Sequence, residues 1–278
     1  MSQLLNTSFR IFYVVLFIGA FSMCKKNIPK PLTPDEIVET EPPDLIAVTK
    51  QVTESIGGYY IALPKHFSTT RKTYPVLIFM HGLGQTGNGS TDLNYLLNDG
   101  IGKLLNDHTF PPSFTVKGKS SSFIVVSPQY SKEPSKKEML DFNTYIMITY
   151  RGDIKHLYMS GLSLGARLTT LLAAEYPNAF AAIVPLAGVP INPGIEERCK
   201  AIAAANLPVW EFHNQDDPLA NIDDAKSFIE LITGFNPTVL PRMTIFKVYG
   251  HDAWTTALNP DFKEDGMNIY EWMLSYSR

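Results

Sequence analysis

Cysteine and strong charge of either sign are both scarce in this chain. Of its 278 residues only Cys24 and Cys199 are cysteines, which is no disulfide framework. A zinc site needs several well-spaced Cys or His ligands, and none cluster here. Lys and Arg number 24 against 27 Asp and Glu, for a net charge of −3. The basic residues gather only in short pairs such as Lys25-Lys26 and Lys136-Lys137, so there is no electrostatic footprint for nucleic acid as a partner. Phosphate-cradling glycine loops of the Walker or dinucleotide type are missing too. No cofactor and no metal are expected. Internal repeats are also lacking. The N-terminal apolar run, Ile11 to Met23, falls short of the roughly 20 residues that span a bilayer.

That run does suit the apolar core of an export signal, which is about 7–15 residues long. Arg10 precedes it, and Gly19, Ala20 and Ser22 lie near its end, followed by Cys24. The arrangement resembles a bacterial lipoprotein signal, which implies lipidation of Cys24 and attachment to the cell envelope. Plain secretion and a retained anchor are the alternatives. Residues 25–50 hold Pro29, Pro31, Pro34, Pro42 and Pro43 among polar residues. Proline removes backbone donors and favours extended chain, so this stretch reads as a linker. The expected organisation is a signal segment over 1–24, a linker over 25–50 and one domain over 51–278, which is long enough for a full core.

Within that domain strands alternate with helices. Tyr59–Leu63, Pro75–Met80, Phe123–Ser127, His156–Ser160, Ala182–Leu186, Pro208–His213 and Met243–Tyr249 are short, rich in β-branched and aromatic residues, and bounded by turn formers. Several are apolar without alternation, as strands buried on both faces should be. Helical periodicity is expected over Leu93–Leu105, Lys136–Tyr150, Leu164–Tyr176, Ile222–Thr233 and Met267–Tyr276. Such alternation argues for an α/β fold, a mostly parallel sheet with helices on both faces. The segment between Leu186 and Pro208 is too short for a large lid domain.

One motif falls where this architecture gives it meaning. Gly161-Leu162-Ser163-Leu164-Gly165 is a G-x-S-x-G sequence between a strand and a helix, the strand–turn–helix setting of a nucleophile elbow. The turn is tight enough to need glycine at its flanks, and it puts the Ser163 hydroxyl at a helix N-terminus. A serine needs a base to take its proton. His251, in a loop after the last strand, is the best placed of the six histidines. His66, His108 and His156 read as surface or packing residues and His213 as structural. An acid must hold the base in its useful tautomer. Asp216 and Asp217 follow the strand that ends at His213, and Asp223, Asp224 and Asp252 are weaker candidates. A developing oxyanion needs two backbone donors. The Leu164 amide is one; the other comes from the loop His81-Gly82-Leu83-Gly84, with Leu83 preferred over Gly84. His81 reads as a brace for that loop.

The stretches YPVLIFMHGLGQTG, LYMSGLSLGARLT, PVWEFHNQDDPLA and YGHDAW resemble the α/β-hydrolase esterases. That group includes carboxylesterases related to feruloyl esterases and polyhydroxyalkanoate depolymerases, and prolyl-oligopeptidase-like hydrolases. The resemblance runs from about Gly58 to Trp272. It implies the α/β-hydrolase fold, an ester substrate and the triad Ser163, Asp217 and His251. In that group the acid commonly stands four residues after the histidine of an HG-x-x-D segment, and Asp217 stands four after His213. Asn214 replaces the glycine, and Ala166 stands where a second glycine often follows the elbow. Acylated or feruloylated polysaccharide and small esters both fit as substrate. The competing readings are a serine peptidase of the same fold and a non-catalytic surface-binding protein on a hydrolase scaffold. Nothing in the sequence fixes an oligomeric state.

Overall fold

A computed structural model describes residues 37–189 and 193–278, all within the unit Thr33–Arg278. The expected signal segment with Cys24, and residues 25–36 of the expected linker, lie outside the described residues. The strands are β1 (Asp44–Val48), β2 (Ile56–Leu63), β3 (Tyr74–Met80), β4 (Phe114–Val116), β5 (Lys119–Ser121), β6 (Ile124–Tyr130), β7 (Gly152–Leu162), β8 (Ala182–Leu186), β9 (Trp210–Asp216) and β10 (Arg242–Tyr249). The helices are α1 (Gly100–Asn106), α2 (Lys136–Thr149), α3 (Leu164–Glu175), α4 (Ile195–Ala204), α5 (Ile222–Gly234), α6 (Trp254–Ala257) and α7 (Ile269–Met273).

Eight strands form one sheet in the order β1-β2-β6-β3-β7-β8-β9-β10. From β6 across to β10 every neighbouring pair is parallel, while β2 is antiparallel to both β1 and β6. The apolar runs read from the sequence are the middle of this sheet. Along β3, Val76, Ile78 and Met80 enter one core while Leu77 and Phe79 enter the other. Each core is closed by helices. Phe142 of α2, Leu168 and Leu172 of α3, Ile202 of α4 and Phe228 of α5 cover the first. Ile101 of α1, Trp254 of α6 and Tyr270 of α7 cover the second. A strand buried on both faces has no reason to alternate.

The structure departs from the sequence expectations in five places. The linker ends earlier than residue 50. Asp44–Val48 pairs antiparallel with Tyr59–Leu63 of β2, and Glu39 is buried, accepting from the His66 amide and from His66 Nδ1 at 2.8 Å. The strand holds a short apolar run, 45–48, just after Pro42 and Pro43, and those prolines make the stretch read as linker. The helix expected over 93–105 is broken. A 3₁₀ turn, Leu93–Leu97, stops before Asp99, whose extended backbone caps α1, and Gly100 has φ +60°. The C-terminal helix is cut to Ile269–Met273. The β4–β5 hairpin and α4 lie outside the sequence expectations, and the hairpin's strands of three residues each are too short for a strand signal.

The close contact of α3 with the sheet generates a prediction. A Cβ on Gly165 would lie 2.0 Å from the Met80 carbonyl oxygen and 2.8 Å from that of His81. Backbone cannot step aside as a flexible side chain can. Gly165→Ala is expected to cost about 1–3 kcal/mol of stability, read as a lower urea midpoint at unchanged slope. An unchanged midpoint would mean that α3 can lift off the sheet freely.

Candidate active site

β7 is central in the sheet and carries the elbow at its C-terminal end. Ser163 has φ 52° and ψ −115°, a strained conformation for a residue with a side chain. The turn is fastened from three sides. The Ser163 amide donates to the Leu186 carbonyl at 2.8 Å, and the Ser163 carbonyl accepts from the Ala166 and Arg167 amides at 3.0 and 3.2 Å. Ala166 is wholly buried, so the small residue beside the motif keeps helix and sheet together.

Loops after β9 and β10 bring the other two expected residues to Ser163. The Ser163 hydroxyl meets His251 Nε2 at 2.8 Å, and His251 Nδ1 meets Asp217 Oδ2 at 2.7 Å. With Nδ1–H donating to the carboxylate, Nε2 is left free to accept the serine proton. Asp217, not Asp216, makes this contact; Asp216 ends β9 exposed to solvent, and its carbonyl accepts from the Gly250 amide. Asp217 Oδ1 accepts from the amides of Leu219 and Ala220 at 2.8 and 3.0 Å. Burial works to raise the Asp217 pKa, but the bonds from the Ala220 amide, His251 and the Leu219 amide outweigh it and hold the carboxyl below its ordinary range. Asp223 and Asp224 lie in the first turn of α5, and Asp252 accepts from the amide and hydroxyl of Thr255 at the start of α6.

Leu83 and Leu164, the expected oxyanion donors, line the same cavity of about 540 Å³ as Ser163 and His251. The loop that carries Leu83 is braced by His81. Its Nδ1–H donates to the Gly82 carbonyl at 2.6 Å, and its Nε2 accepts from the Tyr130 amide at 3.2 Å. The ring stacks on Tyr130 at 3.6 Å, and the Tyr130 hydroxyl donates to the His81 carbonyl. Burial pulls the His81 pKa down to about 4, against the opposing pull of the Gly82 carbonyl. The ring is therefore a neutral strut at neutral pH. Gln129 of β6 carries the same loop further, donating to the carbonyls of Gln85 and Asp92 and accepting from the Gly89 amide. The remaining histidines stay away from the cavity lining: His66 meets Glu39, His156 meets Asp153, and His213 is buried beside Glu211. The thiol of Cys199 is buried, and burial pushes its pKa up to about 11.

Trp254, Asp99, Arg167 and Leu219 also shape the site, and the sequence reading gives them no role. Trp254 walls the cavity and packs edge-on against the His251 ring at 5.2 Å. Its indole N–H donates to Asp99 Oδ1 at 2.7 Å, the same oxygen that accepts from the Gly100 amide. Asn214 ties β9 to the loop that carries His251, donating to the Gly250 carbonyl at 2.8 Å. Arg167, one turn beyond Ser163, lines the cavity and pairs with Glu133. Leu83 and Leu219 stand at the rim, 72% and 78% exposed, an apolar lip on a partly polar cavity. The HDAW sequence after the last strand was the available signal for Trp254. Asp99 carried none.

Residues 138–240 match the family model described as Esterase PHB depolymerase. Over 134 residues the chain is 28% identical to acetylxylan esterase A of Emericella nidulans, a match that takes in 48% of this chain and 42% of that protein. The chain thus spans less than half the length of that curated relative. Among solved structures, a thermostable esterase superposes with a TM-score of 0.57 at 20% identity, over 84% of this chain and 64% of its own. A ferulic acid esterase does so with 0.56 at 18% identity, over 79% of this chain and 95% of its own. Fluorophosphonate-binding serine hydrolase F of Staphylococcus aureus gives 0.57 at 18% identity, over 78% and 96%. The fold is the α/β-hydrolase fold, and the sequence is similar to esterases.

The Asp99–Trp254 contact makes the wall beside His251 testable. Asp99→Ala removes both the cap of α1 and the anchor of the indole. A loss of about 0.5–2 kcal/mol in stability is expected from the cap alone, with altered Trp254 fluorescence. Unchanged fluorescence and midpoint would mean that packing alone holds the indole.

Proposed function

We propose that the protein is a serine esterase that hydrolyses carboxylic esters through Ser163, His251 and Asp217. The observation that carries this reading is the unbroken relay Ser163 Oγ, His251 Nε2, His251 Nδ1, Asp217 Oδ2, at 2.8 and 2.7 Å, opening into one cavity. In this mechanism His251 takes the hydroxyl proton as Ser163 Oγ bonds to the ester carbonyl carbon. The carbonyl oxygen becomes an oxyanion, received by the amides of Leu83 and Leu164. As the carbon–oxygen bond to the alcohol breaks, His251 returns the proton to the departing alcohol. Water then attacks the acyl-serine with His251 again as base, releasing the acid and restoring Ser163. Asp217 stays ionised throughout, orienting His251 and stabilising its charged form.

For the substrate we propose an ester carried on a bulky polysaccharide, such as an acetyl or feruloyl group on xylan. An acetylxylan esterase among the relatives and a ferulic acid esterase of the same fold support this class. The segment after β8 supports it as well, because α4 packs Cys199, Ile202 and Ala203 into the core instead of covering the cavity as a lid. An apolar rim at Leu83 and Leu219 suits a short acyl or an aromatic group.

Hydrolysis of p-nitrophenyl acetate tests the chemistry. The parent protein should be active, Ser163→Ala should lose several orders of magnitude in kcat, and Asp217→Asn about 10⁴-fold. Equal rates in the parent and Ser163→Ala would sink the assignment. Substrate class is tested by ranking acetylated or feruloylated xylan against long-chain triglyceride, and faster release of fatty acid from the lipid would reject the polysaccharide reading.

A further inference from the structure

Glu211 and His213 are two buried titratable groups that the proposed mechanism leaves unused. They lie on β9, two residues apart and therefore on one face of the strand. Their side chains are 0% and 1% exposed. An acidic side chain so fully enclosed is rare unless it is paired. Glu211 Oε1 lies 2.9 Å from His213 Nδ1. The other ring nitrogen, Nε2, lies 3.1 Å from the Ala220 carbonyl and 3.5 Å from Asp217 Oδ2, the same oxygen that receives His251. The groups therefore form a line: Ser163, His251, Asp217, His213, Glu211.

A neutral imidazole has one N–H and one lone pair, so it needs a donor on one side. The Ala220 carbonyl and the ionised Asp217 only accept, and Glu211 accepts in its ionised form, which burial opposes by raising its pKa and His213 favours. With Glu211 ionised, one ring N–H bonds to it and the other to the Ala220 carbonyl, with Asp217 Oδ2 at 3.5 Å from the same nitrogen, and the ring is an imidazolium. The charged groups around it are Glu211 on its own strand and Asp217 in the next loop. β10 faces it with Ile245 in the ladder, and α5, packed along β9, brings Asp223, Asp224 and Lys226 near its start. Burial works against charge on His213, but Glu211, the Ala220 carbonyl and Asp217 together push its pKa above the ordinary histidine range.

We infer that Glu211 and His213 are positioning residues, a buried ion pair that keeps an imidazolium behind Asp217 and so sets how readily the Ser163–His251–Asp217 relay holds a proton. His213 also fixes geometry. Its Nε2–H holds the Ala220 carbonyl while the Ala220 amide holds Asp217 Oδ1. Positive charge beside Asp217 opposes protonation of the base on its other side. Glu211 keeps that charge in place by balancing it. Only the kinetic arm of this inference rests on the esterase reading.

The test has two arms. In the first, the parent protein labelled with ¹⁵N-histidine is examined by NMR without substrate. His213 should carry two ring N–H protons at neutral pH, and Glu211→Gln should remove one of them. A single ring proton in the parent means a neutral pair and overturns the inference. In the second, the pH dependence of kcat/KM is compared in the parent and in Glu211→Gln. Loss of the imidazolium should move the acid limb toward higher pH by roughly half to one unit, for an effective dielectric of about 20. A packing role alone would lower the melting temperature and leave the limb where it is, and an unmoved limb in the folded variant overturns the inference. If Glu211→Gln does not fold, His213→Gln removes the same charge and should move the limb in the same direction. Absence of esterase activity in the parent would count against the proposed function alone, since the NMR arm still decides the charge of the pair.

Discussion

Helix α3 lies against the ends of β3 and β7 with almost nothing between them, and the rest of the site depends on that approach. A Cβ on Gly161 would lie 2.6 Å from the Gly165 carbonyl group, and one on Gly165 would meet the Met80 carbonyl at 2.0 Å. Two residues without side chains let the strand turn into the helix in a single step. Ser163 then takes the positive φ that lifts its hydroxyl above the sheet. Backbone strain of this kind costs on the order of 1–3 kcal/mol. The parallel sheet can carry that cost because its strands are buried on both faces and fixed in register by two cores. A floppier frame would relax the turn and lower the Ser163 hydroxyl.

Three loops then have to meet the hydroxyl, and each is held by a buried polar side chain rooted in the sheet. His81 and Gln129 hold the loop with Leu83. His213 holds the acid loop through Ala220. Asn214 holds the base loop through Gly250. Such groups are hazardous in a core, since one left without a partner costs about 1–3 kcal/mol. That hazard is what makes them exact in effect: a loop that drifts leaves its anchor unsatisfied. Apolar contacts tolerate small sliding and could not hold distances of 2.7 and 2.8 Å along the relay.

Much of this was legible in the sequence because it is written in local patterns. Non-alternating apolar runs mark strands buried on both faces, and glycines two residues either side of Ser163 mark the elbow. The order of serine, acid and histidine along the chain follows from the strands that carry them. The strand at 44–48 and the packing of Glu39 were not legible, because four apolar residues just after a proline pair are too short a run to outweigh the proline-rich stretch before them, and their partners lie on β2. Asp99 was invisible for a different reason. Its role as cap and as acceptor for Trp254 joins residues 155 apart in sequence, and a lone aspartate before a glycine reads as a turn. Asn214 was noticed as a substitution for glycine, but its amide contact with Gly250 requires β9 and β10 to be side by side, which no local pattern encodes.

The distribution of polarity along β9 follows from the same physics. Its early residues, Trp210 and Phe212, enter an apolar core, their tilted rings 4.8 Å apart. On the opposite face, Glu211 and His213 replace the apolar pair that a strand buried on both sides would otherwise carry. Isosteric apolar residues at both positions could be as stable or more so, because a buried ion pair recovers its desolvation only with good geometry. Stability therefore does not explain the pair. What apolar residues could not supply is a second N–H aimed at the Ala220 carbonyl and a positive charge beside Asp217. The acid loop would lose a fixed point, and Asp217 would face His251 with no opposing charge behind it. The strand thus carries its stabilising side chains on one face and, on the other, polar groups that make sense only in terms of the loop beyond its end.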